Sequence, residues 1–69
     1  MYKEILESKI VQIVGEYGIV RSIEQLYLDN NTKLGKETIW YDVCLENGDG
    51  YIVASFDKIM AARKWAKEN

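Results

Sequence analysis

Apolar residues near the start of the chain recur at the spacing of a helix. When residues 2–17 are placed at about 100° per residue, their apolar side chains fall within one arc of roughly 120°. Strict alternation, which a strand would require, is broken by the adjacent pairs Ile10–Val11 and Ile13–Val14. The pattern predicts an N-terminal helix over residues 2–17 that ends at Gly18 as its C-terminal cap. The apolar arc contains Tyr2, Leu6, Ile10, Ile13, Val14 and Tyr17.

The next segment, IVRSIEQLYL at residues 19–28, is compatible with two structures. As a helix it would begin with a capping box from Ser22 to Gln25. As a strand it would place Ile19, Ile23 and Tyr27 on one face. We expect a strand, because the hairpin that follows needs a third partner to be stable. Residues 29–37 are polar and predict an exposed loop.

A hairpin and a second helix are predicted in the remaining half of the chain. Residues 38–46 alternate between apolar and polar types, and the β-rich segment 51–55 follows a short turn. That turn, Asn47–Gly48–Asp49–Gly50, contains two dipeptides that supply positive φ angles. A helix should start near Ser55 or Asp57 and run towards the C-terminus. Its inward side would consist of Phe56, Ile59, Met60, Ala62 and Ala66.

The expected fold class is therefore α+β: an N-terminal helix, a three-stranded antiparallel β-meander and a C-terminal helix in one small domain of residues 1–69. Two helices on one face would leave the other face of the sheet exposed. A domain near this size buries only about 60% of the surface of its unfolded chain. A single cysteine, Cys44, permits no intramolecular disulfide. We therefore expect a homodimer or higher oligomer, or a complex with another protein.

Composition and charge exclude several classes of function. Nine basic and eleven acidic residues give a net charge of -2, which argues against nucleic acid as a partner. No apolar run is long enough for a signal peptide or a membrane span, and the lone thiol is typical of a reducing compartment. We expect a cytoplasmic protein with no membrane association.

Neither metal binding nor catalysis is expected. Asn47 and Asp49 occupy ligand positions of a calcium loop, but Leu45 and Phe56 fall where that loop needs its first ligand and its closing acid. The chain has no histidine to act as a base or to complete a zinc site. Cys44 is flanked on its strand face by acids at 42 and 46, which should raise the pKa of the thiol. The sequence therefore predicts no enzyme and no cofactor.

Two tryptophans give the leading functional hypothesis. Trp65 projects away from the predicted inward side of the second helix, beside Ala61 and close to Arg63, and Trp40 shares a strand face with acidic residues. Aromatic residues and arginine concentrate at binding hot spots. We therefore expect a non-enzymatic protein-binding module that uses Trp65, Arg63, Ala61 and Trp40. Small intracellular binding proteins of this kind are often phage-encoded or mobile-element inhibitors of host proteins. The alternative for the tryptophans is that both of them pack within the fold.

Two further functions remain as alternatives. An oligomer could bind a small ligand or a nucleotide by stacking it on Tyr27, Tyr41 and Tyr51 at a subunit interface. The run VQIVGEYGIVRSIEQLYL also resembles a helix-turn-helix, with Gly18 in the turn and Ser22 opening the second helix. The resemblance implies a DNA-binding regulator. Glu24 departs from it, because the motif usually has an apolar residue at that position.

Overall fold

A four-stranded antiparallel sheet with one C-terminal helix forms the molecule. The structure is a computed structural model and describes residues 1–69. Each strand pairs with its neighbour in the sequence, so the sheet order is β1-β2-β3-β4. A 3₁₀ turn joins the third strand to the fourth. The elements are β1 (Tyr2–Val14), β2 (Tyr17–Tyr27), β3 (Lys33–Cys44), the 3₁₀ turn Glu46–Gly48, β4 (Ile52–Phe56) and α1 (Ile59–Glu68).

The predicted N-terminal helix is wrong, because residues 2–14 form β1 and pair with β2 from Tyr2 opposite Tyr27 to Val14 opposite Tyr17. Two irregularities in this pairing explain the misleading pattern. The register shifts between Ile5 and Glu7 and again between Ile10 and Gln12, which leaves Leu6 and Val11 as extra residues. Each bulge moves the alternation of side chains by one position. The interrupted alternation therefore imitates helical spacing, although the β-branched residues favour a strand.

The remaining predicted elements differ in extent. The strand predicted for residues 19–28 is present as β2, which runs from Tyr17 to Tyr27. The predicted three-stranded meander is wrong, because β1 adds a fourth strand to the sheet. The loop predicted for residues 29–37 is shorter, since β3 already begins at Lys33. The second helix begins at Ile59 because Phe56 belongs to β4. Met60, expected on the inward side, is 75% exposed.

The hydrophobic core lies between α1 and one end of the sheet. Ile19 of β2 and Val43 of β3 are opposite each other and fully buried. Ala62 and Ala66 of α1 pack against them. Because alanine has a short side chain, the helix backbone can approach the sheet closely. Partly buried residues surround this core: Val14, Tyr17, Tyr41, Val53, Ala54, Phe56, Ile59 and Trp65.

Most of the sheet extends beyond the helix. We call the side that carries α1 the helix face and the opposite side the open face. The molecule measures 43 × 20 × 16 Å and has a radius of gyration of 13.3 Å. A compact globular chain of this length would have a radius of gyration of roughly 11 Å. The excess reflects the far ends of β1, β2 and β3, which no other element covers.

The 3₁₀ turn folds back over Gly18 on the open face. A Cβ atom at Gly18 would lie 2.5 Å from backbone atoms of Asn47 and Gly48. The Asn47 N–H donates a hydrogen bond of 3.0 Å to the Glu16 carbonyl. Three consecutive residues adopt positive φ angles of 55°, 59° and 105°, from Glu46 to Gly48. The predicted turn is present as a 3₁₀ turn, and Gly18 serves this close approach instead of capping a helix.

Candidate functional site

The open face of the sheet is concave and forms a groove. Lys3 and Ile5 of β1 line the same groove as Ile52 of β4, although these strands are the two edges of the sheet. The edges can share a groove only if the sheet curls, as twisted sheets do. The open volume is about 390 Å³. Trp40 and Ser55 line its continuation towards β4.

A buried carboxylate stands at the centre of the groove floor. Asp42 is only 9% exposed, and each of its carboxylate oxygens accepts one hydrogen bond. Oδ2 accepts from the Ser22 hydroxyl at 3.0 Å, and Oδ1 accepts from the Ser55 hydroxyl at 2.7 Å. The three residues come from β3, β2 and β4, so the pairing of three strands builds this network. It holds the carboxylate in one orientation facing the groove.

Asp42 has no ion-pair partner, although a basic residue lines the same groove. No basic group lies within ion-pair distance of Asp42, whose two partners are neutral hydroxyls. The Lys3 ammonium, which lines the same groove, instead lies 3.4 Å from Oε1 of Glu24. A carboxylate can accept about four hydrogen bonds, of which the serines supply two. Asp42 therefore retains capacity to accept hydrogen bonds from a bound group.

Cys44 also lies on the groove floor, but it is not suited to nucleophilic chemistry. Burial raises the pKa of the Cys44 thiol, and the neighbouring Asp42 carboxylate raises it further. The thiol therefore stays protonated at neutral pH, whereas the nucleophile would be the thiolate. The sequence predicted this direction correctly. Glu46, expected to contribute as well, lies in the 3₁₀ turn and is not a strand neighbour.

Apolar side chains surround the polar centre. Ile5 and Ile52 line the groove and are each about half exposed to solvent. Ile10 is also about half exposed and approaches the 3₁₀ turn at Gly48. Trp40 is half-buried beside Asp42. A few fixed polar groups inside an aromatic and aliphatic border are typical of sites that bind other molecules.

The structure places the predicted protein-binding residues on two sides of the sheet. Trp65 packs edge-on against Tyr17, with ring centroids 5.4 Å apart, and contacts the core. The neighbouring Ala61 is half-buried. Arg63 is exposed, and its Nε donates a hydrogen bond of 2.6 Å to Oε1 of Gln12. Trp40 alone of the four lies in the groove on the open face.

The three tyrosines of the alternative ligand site are not brought together. Tyr41 packs against the core beneath α1. Tyr27 stacks on Tyr2 at the far end of the sheet, with ring centroids 5.2 Å apart. Tyr51 precedes β4 and is largely exposed.

Sequence reasoning missed the groove residues that other strands contribute, among them Lys3, Ser22 and Ser55. Alternation along β3 did place Trp40, Asp42 and Cys44 on one face. The serines join them only through the pairing of β2 and β4 with β3. No local pattern in the sequence marks those serines.

Comparisons of the chain with protein-family models, with curated proteins and with solved structures give no match. The helix of the structure is too short and too polar to cross a membrane.

Proposed function

We propose that this chain is a non-enzymatic protein-binding module that holds a segment of a partner protein in the groove of the open face. One observation supports the proposal above all: an oriented, buried carboxylate stands in an uncovered groove bordered by half-exposed isoleucines and a tryptophan. Protein interfaces combine such apolar borders with a few placed polar groups. A segment seated there would remove the isoleucine side chains from water.

The architecture supports a partner on this side of the sheet. The only helix packs on the helix face, so the 3₁₀ turn over Gly18 is the only element of the chain that covers any of the open face. A sheet whose surface carries several large apolar residues is stabilised when another element covers it. The polar side chains at the centre of the groove keep the open face soluble when no partner is bound. The apolar side chains around them provide affinity when a partner segment covers them.

Peptide selection tests this function without a known partner. A random peptide library displayed on phage should yield peptides that bind the wild-type protein and lose at least about tenfold in affinity for Ile52→Lys, because binding would bury the new ammonium group. Met60→Lys is the matched control, since both positions are exposed and Met60 lies on α1. Peptides that bind both variants as well as wild type, or a library that yields no binders, would contradict the proposal.

Self-association has separate support on the helix face. Ile23 and Ile39 lie opposite each other on β2 and β3, beyond the region covered by α1, and Ile39 is exposed. Only ten of 69 residues are buried, which is a small core for a domain without a disulfide. We infer that a second copy of the chain packs against this part of the helix face.

Sedimentation velocity at micromolar concentrations should detect the dimer. Ile39→Glu is expected to convert it to monomer, because a carboxylate would be buried at the interface without a partner. Ile52→Glu, on the other face, should leave the dimer intact. A wild-type protein that stays monomeric across the concentration range, or a dimer that only Ile52→Glu disrupts, would show that this surface is not the interface.

A further inference from the structure

We propose that the groove recognises a guanidinium group, so that the bound segment inserts an arginine side chain between Trp40 and Asp42. This inference rests on the proposed function of the groove and names the chemistry that the groove selects. Residues 40 and 42 lie on the same face of β3, and their Cα atoms are separated by about 7 Å. That spacing allows a planar cation to stack on the indole while it hydrogen-bonds to the carboxylate.

The buried and unpaired carboxylate of Asp42 favours a cationic ligand over a neutral one. Its carboxylate is buried, carries no ion pair and receives hydrogen bonds only from Ser22 and Ser55. Burial of a charge is costly unless the charge is paired. The two hydroxyls hold the oxygens in place and leave acceptor sites free. A guanidinium supplies both the missing positive charge and a pair of parallel N–H donors.

Lys3 supports the same conclusion, because the chain's own cation already enters the groove. Its ammonium pairs with Glu24 while the side chain lines the groove together with Asp42. Two acidic residues and one basic residue leave this part of the groove with one net negative charge. An incoming guanidinium would share the acidic groups with Lys3 and would be repelled by it. Removal of the Lys3 charge should therefore strengthen binding.

The test uses N-acetyl-arginine methylamide as the probe and its citrulline analogue as the uncharged control of the same shape. In an NMR titration of the ¹⁵N-labelled protein, the arginine probe should shift the indole N–H signal of Trp40 and the amide signals of Asp42 and Ser55. The citrulline probe should not. Asp42→Asn should weaken binding at least about tenfold. Lys3→Gln, at a position that is mostly exposed, should tighten binding roughly two- to fivefold.

Several results would overturn the inference. The first is that the citrulline probe shifts the same signals as the arginine probe. The second is that the arginine probe shifts no signal up to about 50 mM, where a millimolar site would be filled, or shifts only signals of α1. The third is that Lys3→Gln binds the arginine probe more weakly than the wild type does. The Lys3→Gln result keeps the test decisive if Asp42→Asn fails to fold. Selected peptides that bind the groove but keep their affinity when arginine is replaced by citrulline would disprove guanidinium recognition and leave the proposed function standing. A library without groove binders would instead remove the proposed function.

Discussion

Replacement of Ile19 by alanine is expected to lower the free energy of unfolding by about 2–5 kcal/mol. Ile19 is 0% exposed and packs against Val43 and the alanines of α1, so the truncation leaves a cavity that α1 can only partly fill. A single core in a domain of this size rarely supplies more than about 3–5 kcal/mol of net stability. The variant should therefore unfold at a much lower urea concentration than the wild type. Urea denaturation followed by far-ultraviolet circular dichroism measures the difference.

Met60→Ala is the control for this measurement. Met60 lies on α1 and is 75% exposed, so its truncation should change the free energy of unfolding by less than about 0.5 kcal/mol. Both variants and the wild type must be compared at one protein concentration, because dimerisation adds to the apparent stability. If Ile19→Ala unfolds at the same urea concentration as Met60→Ala, the core does not lie between α1 and this end of the sheet.

The strands and the helix differ in how far the sequence predicts them. The C-terminal helix follows from a local pattern. The local pattern of β2 is compatible with a helix as well, and a strand is expected there only because the hairpin needs a third strand. β1 does not, because the extra residues Leu6 and Val11 break its alternation twice. A bulge is defined by the pairing of two strands, so nothing within residues 2–14 alone separates a bulged strand from an amphipathic helix. That wrong prediction put a helix in place of the fourth strand of the sheet.

Only the part of the candidate site that lies on β3 could be predicted from the sequence. The alternation of β3 places Trp40 beside Asp42, which is the part of the groove that one strand builds. Ser22, Ser55 and Lys3 reach Asp42 or its groove through the register of the other strands and the curl of the sheet. Trp65 was expected at the surface because Phe56 was assigned to the helix. With α1 starting at Ile59, the indole instead contacts the core.

The packing of the 3₁₀ turn on the sheet leads to a second large effect, at Gly18. Gly18→Ala is expected to lower the free energy of unfolding by about 2–3 kcal/mol. The new methyl group would meet the backbone of Asn47 and Gly48 at 2.5 Å, and backbone cannot rotate away as a flexible side chain can. The turn must therefore shift, which also stretches the hydrogen bond from the Asn47 N–H to the Glu16 carbonyl. Because Gly48 lines the groove, groove binding should weaken with stability.

Gly15→Ala separates this steric effect from the general cost of adding a side chain to a glycine. Gly15 has a φ of 60° and no atom within 4 Å of the position of a Cβ, so only backbone strain of about 1 kcal/mol is expected. Urea denaturation should rank Gly18→Ala as clearly less stable than Gly15→Ala, and NMR should show displaced amide signals at Asn47 and Gly48 in the first variant alone. Equal stability of the two variants would mean that the turn does not rest on Gly18. In that case the 3₁₀ turn, whose Gly48 lines the groove, would be free to move away from the sheet, and the groove could admit a larger segment of a partner than its 390 Å³ now allows.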